Sequence, residues 1–179
     1  ALVTDSTVND LYGEKVETIL TEVGHWVVRC VMPAGEAHKR LPQVEAFIGE
    51  FLQGSMDRAS LVVALGGGVV GDTAGFSAAS FMRGIPFIQV PTTIVAQVDS
   101  SVGGKTGVNH AIGKNIIGAF HQPQGVLIDM TLLKTLPPRE LRAGLAEVIK
   151  HGVIADEELF VHMESHIEAI LNCDLDALV

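Results

Sequence analysis

The apolar run Leu61–Leu65 breaks into Gly66-Gly67-Gly68-Val69-Val70-Gly71-Asp72. Glycines spaced G-x-G-x-x-G let backbone N–H groups approach a pyrophosphate, and a helix starting there favours negative charge at its first turn. The chemistry implied is binding of a phosphate ester; the bland alternative is a tight strand-to-helix turn whose glycines serve packing alone. A dinucleotide fingerprint also expects an acid about 20 residues further on for the ribose hydroxyls, and none stands around Phe87–Pro91. The ribose partner must then come from elsewhere, with Asp5 at the end of the first strand as a candidate. Asp72 reads equally as a ligand contact and as a helix-start acid complementing the dipole.

Gln97–Asn115 holds four glycines and two lysines between apolar segments. It reads as a long aperiodic loop, and such loops inside a domain are commonly functional or disordered. Val98, Val102 and Val108 argue for order. Lys105 and Lys114 stand beside glycines, with Asp99, Ser100, Asn109 and Asn115 as hydrogen-bonding neighbours. Lysine is a point charge suited to phosphate or carboxylate, so a ligand site is favoured over two solvated surface lysines. Pro91-Thr92-Thr93 follows a strand, where doubly wound sheets bind ligands; its hydroxyls also suit a helix N-cap. Gly35-Glu36-x-x-Lys39 follows a strand in the same way and alone would pass for a charged turn.

Glu147 and Lys150 share a helix face at i and i+3, among small and apolar neighbours. On their own they read first as a surface ion pair, and second as a metal or substrate carboxylate beside a cation. None of the seven histidines forms an H-E-x-x-H pattern. His162 and His166 have chelating spacing, but Glu158, Glu164 and Glu168 around them favour a solvated face; His151 stays open.

The elements that must position these groups follow from hydropathy. Strands are expected at Leu2–Val3, Trp26–Met32, Leu61–Leu65, Phe87–Val90 and Val126–Ile128. Helices are expected at Val8–Val23, Leu41–Gln53, Thr73–Phe81, Arg139–Ile149, Glu157–His162 and His166–Leu171. Alternating strands and helices imply an α/β fold with a Rossmann-like parallel sheet. A boundary near Leu136–Pro138 sets off residues 1–136, the α/β domain, from 137–179, the start of an all-helical one. With 47% hydrophobic residues in 179, a sizeable core is expected. A net charge of −9 argues against nucleic acid or a membrane surface as partner. No run reaches the about 20 apolar residues of a membrane span, and Cys30 and Cys173 show no disulfide or metal spacing, which suits a reducing cytoplasm. Ala1-Leu2-Val3 begins inside an apolar run and Leu171–Val179 stops in helix-like sequence, so a piece cut at both ends is expected.

Together GEAHK (Gly35–Lys39), LGGGVVGD (Leu65–Asp72), FMRGIPFIQVPTT (Phe81–Thr93), QVDSSVGGKTGVNHAIGKNIIGAFHQP (Gln97–Pro123) and KTLPPRELRAGLAEVIKHG (Lys134–Gly152) resemble 3-dehydroquinate synthases, in family order over nearly the whole chain. The resemblance implies NAD contacts at Glu36, Lys39, Gly68, Val69, Val70, Gly71, Asp72, Thr92, Thr93, Lys105 and Lys114. It also implies NAD contacts at Leu132, Leu133, Lys134 and Thr135, and less securely at Asp5. Substrate contacts would be Asp99, Lys105, Asn115 and Lys150, with Arg83 reaching the phosphate, from a neighbouring subunit of a homodimer. Glu147 would be one of three ligands of a zinc or cobalt ion, the other two being histidines of a later helical region that has no match here. The implied reaction converts 3-deoxy-D-arabino-heptulosonate 7-phosphate, a phosphorylated sugar acid, to 3-dehydroquinate and phosphate. It would run through transient oxidation by NAD, phosphate elimination, re-reduction and an intramolecular aldol closure. A sibling cyclase resembling 2-deoxy-scyllo-inosose synthase, a polyol dehydrogenase and a nucleotide-binding module without turnover remain as alternatives.

Overall fold

Strand β3 (Val62–Gly66) is buried along its whole length, as an apolar run covered by helices on both faces requires. In the computed structural model, which describes residues 1–178, β3 is the middle of a five-stranded sheet. Its neighbours are β1 (Leu2–Asp5), β2 (Arg29–Met32), β4 (Phe87–Pro91) and the two-residue β7 (Gly125–Val126). The order β2-β1-β3-β4-β7 is parallel throughout. The chain reverses direction across the sheet between β1 and β3, and such a switch point opens a crevice at the strands' carboxyl ends.

Both sheet faces are covered. On one, Phe47 and Phe51 of α3 (Leu41–Gln53) and Val70, Ala74 and Ala78 of α4 (Gly68–Ser80) pack on Val3, Val62, Ala64 and Phe87. On the other, Leu2, Val63 and Leu65 meet Val8 of α1 (Ser6–Val8) and Val16 and Leu20 of α2 (Glu14–Glu22). A π-helical turn, Asn9–Gly13, joins α1 to α2; a Cβ at Gly13 would lie 2.5 Å from Asn9 Oδ1. A third cluster joins Ile94 and Leu133 to Leu141 and Leu145 of α5 (Pro138–Ala155) and Met163 and Ile170 of α6 (Glu157–Leu171). The short α7 (Leu175–Leu178) closes it.

The segment expected as an aperiodic loop is ordered. Ala96–Ser100 is a π-helical turn, and β5 (Lys105–His110) pairs antiparallel with β6 (Gly113–Phe120). This ribbon lies over α4, whose small residues let it approach: a Cβ on Gly75 would sit 2.5 Å from Thr106 Cγ2. Its glycines and polar residues hid the strand period, because the ribbon's packing depends on close backbone approach rather than on apolar alternation.

Other boundaries moved. Helix α4 starts at Gly68 instead of Thr73, because glycine there joins the helix instead of only preceding it. Strand β2 begins at Arg29, leaving Trp26 87% exposed. The two helices expected between Glu157 and Leu171 are one, since nothing between His162 and His166 interrupts the backbone ladder.

Gly107 and Gly118 face each other in the ribbon, and a Cβ on Gly118 would fall 2.1 Å from the Thr106 carbonyl oxygen. Backbone cannot step aside as a side-chain end can, so Gly118→Ala is expected to destabilise by about 1–3 kcal/mol. Gly49 of α3 has nothing within 4 Å of its Cβ position, so Gly49→Ala should stabilise by up to about 1 kcal/mol. Thermal denaturation of the two variants reads the opposite signs.

Candidate functional site

The crevice at the switch point is a cleft of about 820 Å³. Four of the five parallel strands deliver a wall of it. Asp5 ends β1, Gly35 and Glu36 follow β2, Gly67, Gly68 and Val69 follow β3, and Thr92 and Thr93 follow β4. The far side is closed by Tyr12, Lys114, Thr135 and Glu140.

The part of the cleft whose geometry suits an anion is the start of α4. Gly67 is its N-cap and makes no side-chain capping bond. A helix leaves its first N–H groups without intrahelical partners, so those of Gly68, Val69 and Val70 stand free for a phosphate, with the helix dipole behind them. Close quarters forbid side chains here: a Cβ on Gly67 would lie 3.1 Å from Thr93 Cγ2, and one on Gly68 would lie 2.9 Å from Ser100 Oγ. Gly71 serves packing, since its Cβ would meet Gln89 Oε1 at 2.6 Å.

A second pocket of about 490 Å³ lies beside the cleft, lined by Asp99, Lys105, Thr106 and Phe120. Asp72, Ser100 and Asn115 line both spaces. Asp72 is therefore not a helix-start acid. It sits beyond the first turn of α4, and its Oδ2 accepts from Lys39 Nζ at 2.5 Å. The same ammonium donates to Asn115 Oδ1 at 2.6 Å, and Lys39 is only 4% exposed. Burial raises the Asp72 carboxyl above its ordinary value, opposed by the hydrogen bond and charge of Lys39.

Asp99, held on the π-helical turn, reaches Lys150 on α5. Lys150 Nζ lies 3.7 Å from Asp99 Oδ1 and contacts Glu147 Oε2. The hydrogen bond to Glu147 raises the Lys150 pKa, so its ammonium stays protonated at neutral pH. The i, i+3 pair is half-exposed, as a surface ion pair would be, yet Asp99 ties it to the second pocket. Among the described residues no three His, Cys, Asp or Glu side chains cluster as a metal would need, so these residues do not by themselves hold the ion.

Several expected contacts are placed elsewhere. Val70 is fully buried in the core and offers only its N–H. Leu133 is buried in the helical cluster; of Leu132, Leu133, Lys134 and Thr135, only Thr135 lines the cleft. Arg83 lines neither pocket. It sits on a turn where Met82, Arg83 and Gly84 all have positive φ (48°, 70° and 120°). Asp5 does line the cleft, but its Oδ1 also caps α1, accepting from the N–H groups of Thr7 and Val8 at 2.8 and 3.0 Å. His162 Nε2 donates to the Ala177 carbonyl at 2.9 Å and the ring stacks on His166, a structural use of the pair.

Two residues emerge only from the structure. Tyr12 OH lies 2.6 Å from Thr135 Oγ1 and fastens the cleft's far wall to α1–α2. Gln97 is buried and donates to the Pro91 carbonyl at 3.3 Å, anchoring the turn that carries Asp99 and Ser100. A lone tyrosine or glutamine carries no sequence signal for such roles.

Residues 29–143 match the family model described as 3-dehydroquinate synthase N-terminal. The chain is 56% identical to a 3-dehydroquinate synthase of Desulforamulus reducens over 177 residues, 99% of this chain and 49% of the relative. It is 52% identical to that of Pseudomonas fluorescens over 178 residues, 99% and 48% respectively. The chain thus spans about half the length of the curated relatives it matches. Among solved structures it resembles the 2-epi-5-epi-valiolone synthase of Streptomyces hygroscopicus subsp. jinggangensis, solved with NAD⁺ and Zn²⁺. There the TM-score is 0.91 at 34% identity, covering 99% of this chain and 51% of the other. A 2-deoxy-scyllo-inosose synthase solved with carbaglucose-6-phosphate, NAD⁺ and Co²⁺ has a TM-score of 0.81 at 29% identity, covering 98% and 52%.

Lys39→Met leaves the Asp72 carboxylate without its cation. The pair is more buried than a surface bridge, worth at most about 1 kcal/mol, and less than a sealed one, where loss of a partner costs about 3–5. Denaturant unfolding should show a loss of about 1–3 kcal/mol, between those limits. Because the folded Asp72 pKa is raised above 3.8, its contribution is fully present below that value and is lost as pH rises through the folded one. Asp72→Asn should remove this decline, read as a flatter dependence of unfolding free energy on pH on the alkaline side of 3.8.

Proposed function

The chain belongs to the 3-dehydroquinate synthase family, and from that premise we propose that it forms the nucleotide-binding half of an enzyme of that activity. The proposed reaction is a carbon–oxygen lyase reaction of aromatic biosynthesis, turning 3-deoxy-D-arabino-heptulosonate 7-phosphate into 3-dehydroquinate and phosphate. The observation that carries the reading is the uncapped start of α4 opening into a cleft that shares Asp72, Ser100 and Asn115 with a lysine-lined pocket.

NAD⁺, when bound, supplies a reversible hydride acceptor beside the substrate carbon. The residues present fit it: free N–H groups of Gly68, Val69 and Val70 for the pyrophosphate, Glu36 and Asp5 as carboxylates for ribose hydroxyls, and Thr92, Thr93, Lys114 and Thr135 around them. Lys105, Asn115 and Asp99 orient the phosphorylated sugar acid in the second pocket, and Lys105 offsets its negative charge. Lys150, beside Glu147 and Asp99, offers a cation to the anionic substrate. Glu147 is proposed as one carboxylate of a divalent-metal site completed in a protein of the relatives' full length. Arg83, outside both pockets on a turn of positive φ, is proposed to serve the site of a second copy in a homodimer. Among the described residues no helix is long and apolar enough to cross a membrane, and the free thiols Cys30 and Cys173 support a cytoplasmic setting.

A sibling cyclase is the second reading, favoured by the TM-score of 0.91 to the valiolone synthase. The identities above 50% to 3-dehydroquinate synthases weigh more.

Calorimetry should detect NAD⁺ binding to the 179-residue chain, and Lys114→Gln should weaken it about tenfold, as loss of one charge-assisted hydrogen bond would. The chain alone should release no phosphate from the heptulosonate phosphate. Absence of NAD⁺ binding would sink the cofactor reading; phosphate release would sink the half-site reading. In a protein of full length, faster turnover of a hexose 6-phosphate than of the heptulosonate would favour the sibling.

A further inference from the structure

The β5–β6 register slips between Val108 and His110, so Asn109 occupies a bulge, and bulges re-aim the side chains they carry. Asn109 is turned back onto the segment after β2. Its N–H donates to the Lys39 carbonyl at 2.8 Å, and its backbone makes an isolated parallel bridge with Arg40. Both ends of its side-chain amide are used. Nδ2 donates to Glu36 Oε1 at 2.7 Å, and Oδ1 accepts from the Asn115 N–H at 2.8 Å.

Asn115 needs such a partner. Its φ of 54° is left-handed, a conformation asparagine tolerates better than most residues, and it has no opposite number in the ribbon's register. Held there by Asn109, it turns its own Oδ1 to Lys39 Nζ at 2.6 Å. The bonds close a ring: Glu36 to Asn109, Asn109 to Asn115, Asn115 to Lys39, and Lys39 back to Glu36 through one backbone turn. Glu36 lines the nucleotide cleft alone, whereas Asn115 lines both spaces.

We propose that Asn109 is a positioning residue that couples Glu36 on the nucleotide side to Asn115 at the border of the second pocket, so that a nucleotide held by Glu36 also fixes Asn115. The nucleotide part rests on the NAD reading of the cleft; the coupling itself exists without it.

The experiment uses the 179-residue chain with N109A, N109D, E36Q and the N109D/E36Q double variant. N109D keeps the acceptor for the Asn115 N–H but sets a carboxylate against Glu36; E36Q in that background re-makes the bond with donor and acceptor exchanged. Without nucleotide, hydrogen exchange at the Asn115 amide should speed about tenfold in N109A. It should also speed in N109D, and return towards the wild-type rate in the double variant. With NAD⁺ as probe, N109D should weaken binding about tenfold in the wild-type background and several-fold less in the E36Q background. Unchanged Asn115 exchange in N109A, or N109D effects that are the same in the wild-type and E36Q backgrounds, would overturn the coupling. A chain that binds no NAD⁺ overturns the cofactor reading, and the exchange rescue in the double variant then decides the coupling by itself. Rescue is the readout that a merely structural asparagine would not give.

Discussion

The Lys39 ammonium is the constraint on which the site depends. It is almost wholly buried, and its two hydrogen-bond acceptors come from helix α4 and from the ribbon. An unpaired ammonium at that depth would cost several kcal/mol, so Asp72 and Asn115 are held where they are by the penalty of leaving Lys39 alone. Through it, three segments far apart in sequence share one geometry: the turn after β2, the second turn of α4 and the tip of β6. The cleft and the second pocket meet where those segments meet.

Helix α4 makes the meeting possible by being small. Its buried residues include Gly71, Thr73, Ala74, Gly75, Ser77 and Ala78, so the sheet can lie against one side and the ribbon against the other. Thr73 and Ser77 satisfy their hydroxyls on the carbonyls of Val69 and Thr73 at 2.7 and 2.8 Å, which keeps this polar content compatible with burial. The glycines that leave the first turn open thus belong to a longer run that admits backbone to the whole helix. The open first turn and the docked ribbon are two results of the same absence of side chains.

The parallel sheet was legible because its strands are short apolar runs bounded by turn residues, and β3 in particular has no polar position to confuse its period. The ribbon was not, because Lys105, Gly107, Asn109, Gly113 and Gly118 suggest a loop. Its order comes from Thr106 bonding to the Ala119 carbonyl, from paired glycines and from the Asn109 bulge, all of which are long-range. Residues that line the two spaces were legible where type and neighbours agreed, as at Gly68, Lys105 and Asp99. Tyr12 and Gln97 act only through partners 123 and six residues away, and no local pattern announces that. Val70 and Leu133 sit within site segments but face the core, because adjacent positions on a helix point in different directions.

The pairing of Lys39 also decides what is left to meet an anion. The cleft carries Asp5, Glu36, Asp72 and Glu140 against Lys39 and Lys114, on a chain of net charge −9. Asp72 already offsets Lys39, whose buried ammonium is committed to Asp72 and Asn115. A pyrophosphate there would therefore rely on the N–H groups and dipole of α4 and on Lys114, and not on Lys39 as a direct charge partner. The carboxylates at Glu36 and Asp5 then suit neutral hydroxyls rather than phosphate. Charge alone would repel a dinucleotide from this cleft; under the proposed reading, fixed backbone donors at one end and acceptors at the other would sort its phosphate from its ribose.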